Sequence, residues 1–163
     1  MRLQSTDRLL LGIVGGAVVL VVIAVVVVLA RATPEYRAGI DPGDVVFNYI
    51  LAVQRGEYER AYGYLSPTLP SYPRDVQAMR TNLRRFDPSS DDVSYAVIDT
   101  QINGDQATVM VRETMFYRSG LIGGSQFSTT VTFELQRTAN SWQLVSSSSW
   151  RVWAECWEWK EGC

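Results

Sequence analysis

One uninterrupted apolar run opens the chain, and everything after it breaks into short periods. From Leu9 to Ala30 the sequence LLLGIVGGAVVLVVIAVVVVLA holds 22 residues without a polar side chain. As a helix rising about 1.5 Å per residue it spans roughly 33 Å, against a hydrocarbon core of about 30 Å. Valine favours strands in water, but in lipid every backbone group must be satisfied within the segment, which selects helix. Arg8 and Arg31 bracket the run as interfacial anchors. Ala30-Arg31-Ala32 has the shape of a signal cleavage site, yet signal h-regions usually run only about 7–15 residues, so a retained single span is the expectation.

The period then becomes helical. A linker, 31–40, carries Pro34 and Gly39, which discourage regular structure. Asp41-Pro42 is a start signal: a carboxylate to accept orphan amides, then a proline at the first helical position. Val46, Tyr49, Ile50 and Val53 share one face, and Gly56 supplies the stop. A second short helix places Tyr58, Ala61, Tyr62 and Leu65 together before Ser66-Pro67 ends it. Pro73 opens a third, with Asp75 in its first turn, an apolar stripe of Val76, Met79, Leu83 and Phe86, and a close at Asp87-Pro88.

From Val93 onward the period is two. Val93 to Ile102 alternates loosely, and Asn103-Gly104 is the preferred pair for a tight hairpin. Ala107 to Tyr117 forms the next strand, and Ser119 to Ser125 (SGLIGGS) a longer hairpin loop. Val131, Phe133 and Leu135 face one way, with Thr130, Thr132, Glu134 and Gln136 on the other, as in a half-solvated strand. Ala139-Asn140-Ser141 turns the chain into a last strand, Trp142 to about Val152. The expected architecture is α+β: an N-terminal transmembrane helix, then three helices packed on a curved four-stranded antiparallel sheet. The domain boundaries follow as a short tail, 1–8, the span, 9–30, the linker, 31–40, and one domain, 41–163.

The segment DPGDVVFNYILAVQRGEYERAYGYLSP, with the later hairpin-linked strands ending in a tryptophan-led WQLV strand, resembles nuclear transport factor 2-like domains. The match covers roughly Asp41 to Val152, in element order and length more than in particular residues. The resemblance implies a cone whose sheet wraps a pocket behind the helices. Relatives of this kind include isomerases, dehydratases, cargo-binding modules and extracytoplasmic domains, so the fold by itself carries no chemistry. In the enzymes a pocket carboxylate or histidine works with a tyrosine, which lets a proton be abstracted beside a carbonyl.

Composition narrows the chemistry further. The 163 residues include no histidine and only two cysteines, which excludes a Ser-His-Asp triad, a Cys-His pair and a histidine-containing zinc site. A net charge of −2 argues against a non-specific nucleic-acid binder. Asp87, Asp91 and Asp92 lack the spacing of a calcium loop, and SGLIGGS has no following lysine to make a phosphate cradle. No cofactor or metal is expected. If β-alternation is clean, Asp99 shares a face with Val93, Tyr95 and Val97, and Tyr117 approaches from the next strand. That is the candidate small-molecule or isomerase-like pocket, weighed against an aspartate at the solvated rim.

The tail SSSSWRVWAECWEWKEGC packs Trp150, Trp153, Trp157 and Trp159 into ten residues. Such rings either present a binding surface or close the open end of the core, the second being the simpler expectation. Cys156 and Cys163 are expected to form a disulfide, with Glu161-Gly162 turning the chain back. A disulfide belongs to an oxidising compartment, and the flanks of the span tie at two arginines each, Arg2 and Arg8 before it and Arg31 and Arg37 after it, the latter diluted by Glu35, Asp41 and Asp44. The disulfide, with a slight lean from the flanking charges, points to a cytoplasmic N-terminus and an extracytoplasmic domain at the cell membrane. The expectation is a non-enzymatic binding or assembly module that meets a protein partner at the membrane surface. Gly12 and Gly16 have the small-residue spacing that lets two membrane helices pair, so a homodimer is a further expectation.

Overall fold

Residues 5–29, 34–83, 93–118, 124–139, 141–161 and 163 are described by a computed structural model, with side chains of the first helix given at 12–26. The chain divides into two compact units, Met1–Glu35 and Tyr36–Cys163.

In the first unit the apolar run is helical: α1 spans Ser5–Leu29, 25 residues. Ala30 lies outside the described residues. Among the described residues no helix is long and apolar enough to cross a membrane. Gly12 and Gly16 have open space where a Cβ would stand.

In the second unit α2 spans Pro42–Gln54. Asp41 is extended and Pro42 takes the first helical position, but the Asp41 carboxylate makes no cap. Its backbone carbonyl does the work, accepting from the Asp44 and Val45 N–H groups at 3.0 Å each. Val46, Tyr49, Ile50 and Val53 are buried as their spacing predicts. Gly56, at φ 70°, ends the helix in a conformation that side chains resist. The next helix, α3, is only Tyr58–Tyr62. Leu65, expected on its stripe, forms a bridge to Leu144 instead. The last helix, α4, starts later than expected, at Val76, and runs to Leu83. Asp75 is its cap, accepting from the Ala78 N–H at 2.7 Å. The expected close at Phe86 to Pro88 lies outside the described residues, as do Asp91 and Asp92.

Four antiparallel strands form one sheet in the order β1-β2-β3-β4. They are β1 (Val93–Asn103), β2 (Gln106–Arg118), β3 (Gly124–Thr138) and β4 (Ser141–Ser147). Gly104, at φ 61°, makes the tight turn that Asn103-Gly104 predicts. Ala107, Val109 and Val111 of β2 and Val131, Phe133 and Leu135 of β3 join Val46, Tyr49 and Val53 of α2 and Met79 and Leu83 of α4 in one buried cluster. The domain is α+β as expected.

Two strands depart from clean alternation. A bulge between Val97 and Asp99 inserts Ile98 and reverses which β1 side chains face inward. On β4 the ladder ends at Ser147, not near Val152. Beyond it the chain turns away, because side chains on α2 and β2 capture Ser149 to Val152. The outer edge of β4 is met by the α3 loop, where Leu144 N–H donates to Tyr64 and Ser66 N–H donates to Leu144, both at 2.9 Å.

Candidate functional site

Period-two geometry on β2 puts Glu113 on the same face as Val109 and Val111. The residue is 1% exposed, in an otherwise apolar row. Tyr95 stands directly opposite on β1, half-buried. Ser149 Oγ donates to Glu113 Oε2 at 3.2 Å, and Arg151 Nε lies 2.8 Å from Oε1. That N–H is not aligned on the oxygen, since neither atom has a hydrogen-bond partner, so the contact is ionic only. Burial raises the Glu113 carboxyl pKa, and the Ser149 hydrogen bond and the Arg151 charge pull it back only in part. Burial, then the Glu113 charge, raises the Tyr95 phenol too. A buried acid, a phenol and a guanidinium thus meet on one face of the sheet.

The C-terminal segment closes over this face. Tyr49, fully buried on α2, donates its hydroxyl to the Val152 carbonyl. Trp153 packs edge-on against Tyr49 at 6.3 Å and against Trp157 at 5.0 Å between ring centroids. Both indoles are buried. Trp153 Nε1 donates to Glu158 Oε1 at 2.7 Å. The same carboxylate accepts from Ser147 N–H at 3.3 Å and Ser146 Oγ at 3.2 Å. Each serine of the Ser146–Ser149 tract is engaged: Ser147 Oγ accepts from Ser149 N–H, and Ser148 Oγ accepts from Thr132 N–H. Cys156 and Cys163 form a disulfide with Cα atoms 5.1 Å apart.

The four tail tryptophans therefore divide. Trp153 and Trp157 complete the core, whereas Trp150 and Trp159 are about half exposed, at 53% and 47%. The Arg151 guanidinium lies over the Trp150 ring at 4.3 Å.

Asp99 and Tyr117 do not come together. The bulge turns Asp99 to the exposed face, where it pairs with Met110 across the ladder and accepts from Gln101 at 2.9 Å. Tyr117 pairs with Ser125 on β3. Tyr117 lies seven residue steps along β2 from Met110, about 24 Å of strand. Tyr95 keeps its inward place, with Glu113 and not Asp99 as its carboxylate. The signal was present in the sequence: an acid interrupts the inward row Val109, Val111, Glu113, Met115.

Three described cavities open elsewhere. One of about 380 Å³ lies beside Leu69, Gln106 and Glu134. One of about 310 Å³ lies between Ile40 and Trp142. One of about 420 Å³ is lined by Ser146 to Ser148, Trp150, Trp153, Glu155 and Glu158. Among the described residues no His, Cys, Asp and Glu cluster has the makings of a metal site.

No family model matches the sequence, and no curated protein does. Among solved structures the chain is similar to a SEC-C motif-containing protein from Rhodopseudomonas palustris, at 16% identity over 69% of this chain and 81% of that one, TM-score 0.49. It is also similar to a nuclear transport factor 2-like protein of unknown function from Shewanella oneidensis, at 9% identity over 63% and 90%, TM-score 0.43. A third is the beta subunit of benzoate 1,2-dioxygenase from Burkholderia mallei, at 15% identity over 68% and 90%, TM-score 0.40.

Proposed function

We propose that the chain is a single-pass membrane protein whose nuclear transport factor 2-like domain is a non-catalytic binding or assembly module held outside the cytoplasm. The observation that carries the module reading is the filled interior. Tyr49, Phe133, Trp153 and Trp157 occupy the space between sheet and helices with no accessible surface left beyond 1%. The one carboxylate facing that interior among the described residues is engaged with Ser149 and Arg151. The anchor rests on the 22-residue apolar run and its helical form to Leu29, and the outward placement on the disulfide.

The test is protease added to spheroplasts. The domain is expected to be degraded while the protein stays with the membrane through alkaline carbonate extraction. A domain protected until the membrane is lysed overturns the topology, and carbonate release overturns the anchor. Cross-linking in intact membranes then identifies what the module holds.

A second reading, a small-molecule pocket with acid–base chemistry, draws on Glu113 opposite Tyr95 and its raised pKa. It requires Trp153 or Arg151 to move aside. A ligand that protects Tyr95 and Glu113 amides from hydrogen exchange favours it over the module.

A further inference from the structure

We propose that the paired ends of β2 and β3 at Phe116, Tyr117 and Phe127 form a membrane-docking finger, these three side chains seated at the headgroup–acyl boundary of a lipid bilayer; this rests on the membrane-anchored reading above. These three side chains are 43%, 52% and 56% exposed. They do not share one face. Tyr117 follows Glu113 and Met115 on the inward side of β2, and Phe127 pairs with Met115. Phe116 projects to the opposite side with Thr114, opposite Gln126.

That two-sided arrangement decides the occupant. A protein partner laid on a two-stranded ribbon covers one face and leaves the other aromatic in water. A fluid apolar medium surrounds both. The residue types agree: tyrosine is enriched at membrane interfaces, where its ring is buried and its hydroxyl stays wet, and phenylalanine serves as an apolar anchor of interfacial segments. Charge agrees too. From Thr114 to Phe133 there is no acidic residue, and the only charged side chain is Arg118. A stretch without carboxylates and with a single cation loses little hydration when it enters a headgroup layer.

Full-length protein carrying a benzophenone amino acid at Phe116 or at Phe127 tests this, one probe for each face. A third probe at Gln136, exposed at the other end of β3, is the control. Each protein is reconstituted in vesicles of phosphatidylcholine and phosphatidylglycerol and irradiated, and the near-ultraviolet signal of the buried tryptophans verifies folding. Lipid adducts at both 116 and 127, several-fold above those at 136, support the finger. Labelling on one face only, adducts to protein in place of lipid, or background labelling at both positions overturns it. Carbonate extraction of the same vesicles separates the two claims: retained protein with background labelling overturns the finger and leaves the anchor standing. Extracted protein overturns both.

Discussion

Burial holds the proton on Glu113 to higher pH in the folded chain than in the unfolded one, where a glutamate titrates near about 4.3. The stability this group contributes is therefore complete below about pH 4.3 and is lost as pH rises through the folded pKa. Glu113→Gln imitates the protonated acid and removes that step. Urea titrations from about pH 4 to pH 8 are expected to show parental stability falling relative to the variant as pH rises. A parent that gains on the variant with rising pH contradicts a buried, raised acid. Ser149 and Arg151 reach Glu113 from a segment beyond β4. The tie is tertiary, which is why the acid was visible as a break in the β2 pattern while its partners were not.

Among the elements, periodicity delivered what local geometry controls. The buried stripe of α2, the Gly56 stop, the Asn103-Gly104 turn and the order of four strands all follow from side-chain spacing and backbone preference. Failures came where one extra residue or a distant contact intervened. Ile98 at the bulge inverts every β1 side chain beyond it, so Asp99 faces out although the count from Tyr95 put it inside. The tail behaves similarly: four tryptophans look alike in sequence, and only the Tyr49 and Glu158 contacts separate core from surface. Its disulfide closes a short loop, Cys156 to Cys163. Its loss in a Cys156→Ser, Cys163→Ser chain is expected to lower the unfolding free energy by about 2.5 kcal/mol on the chain-entropy estimate. Trp153 and Trp157 pack from upstream of the closing cysteine, so native tryptophan emission should stay unshifted. A red shift in the folded variant places the disulfide in the core's support instead.

For the molecule as a whole, the point where the domain begins sets how the chain enters it. Arg37 N–H donates to Asn48 Oδ1 at 2.8 Å, and Asn48 Nδ2 donates to the Arg37 carbonyl at 2.9 Å. Beside them Tyr36 donates to Glu57 at 2.8 Å and lies under Arg60 at 3.8 Å. A stretch whose composition reads as linker is thus bolted to α2 and α3 from Tyr36 onward. Asn48→Ala leaves two backbone groups unpaired and is expected to cost about 1–3 kcal/mol. It should also hasten trypsin cleavage after Arg37 under native conditions, and an unchanged cleavage rate contradicts the clamp. A different consequence follows from the Glu158 carboxylate resting on the Ser147 N–H. A sheet margin with free amides is a template on which another chain's strand can grow, and growth of that kind has no built-in end. Here the loop bonds at Leu144 and the Glu158 lid at Ser147 occupy that margin at both heights. Loss of the Glu158 side chain would reopen an amide at the end of β4, so the earliest damage from an error at this position should appear as fibrous self-association at high concentration.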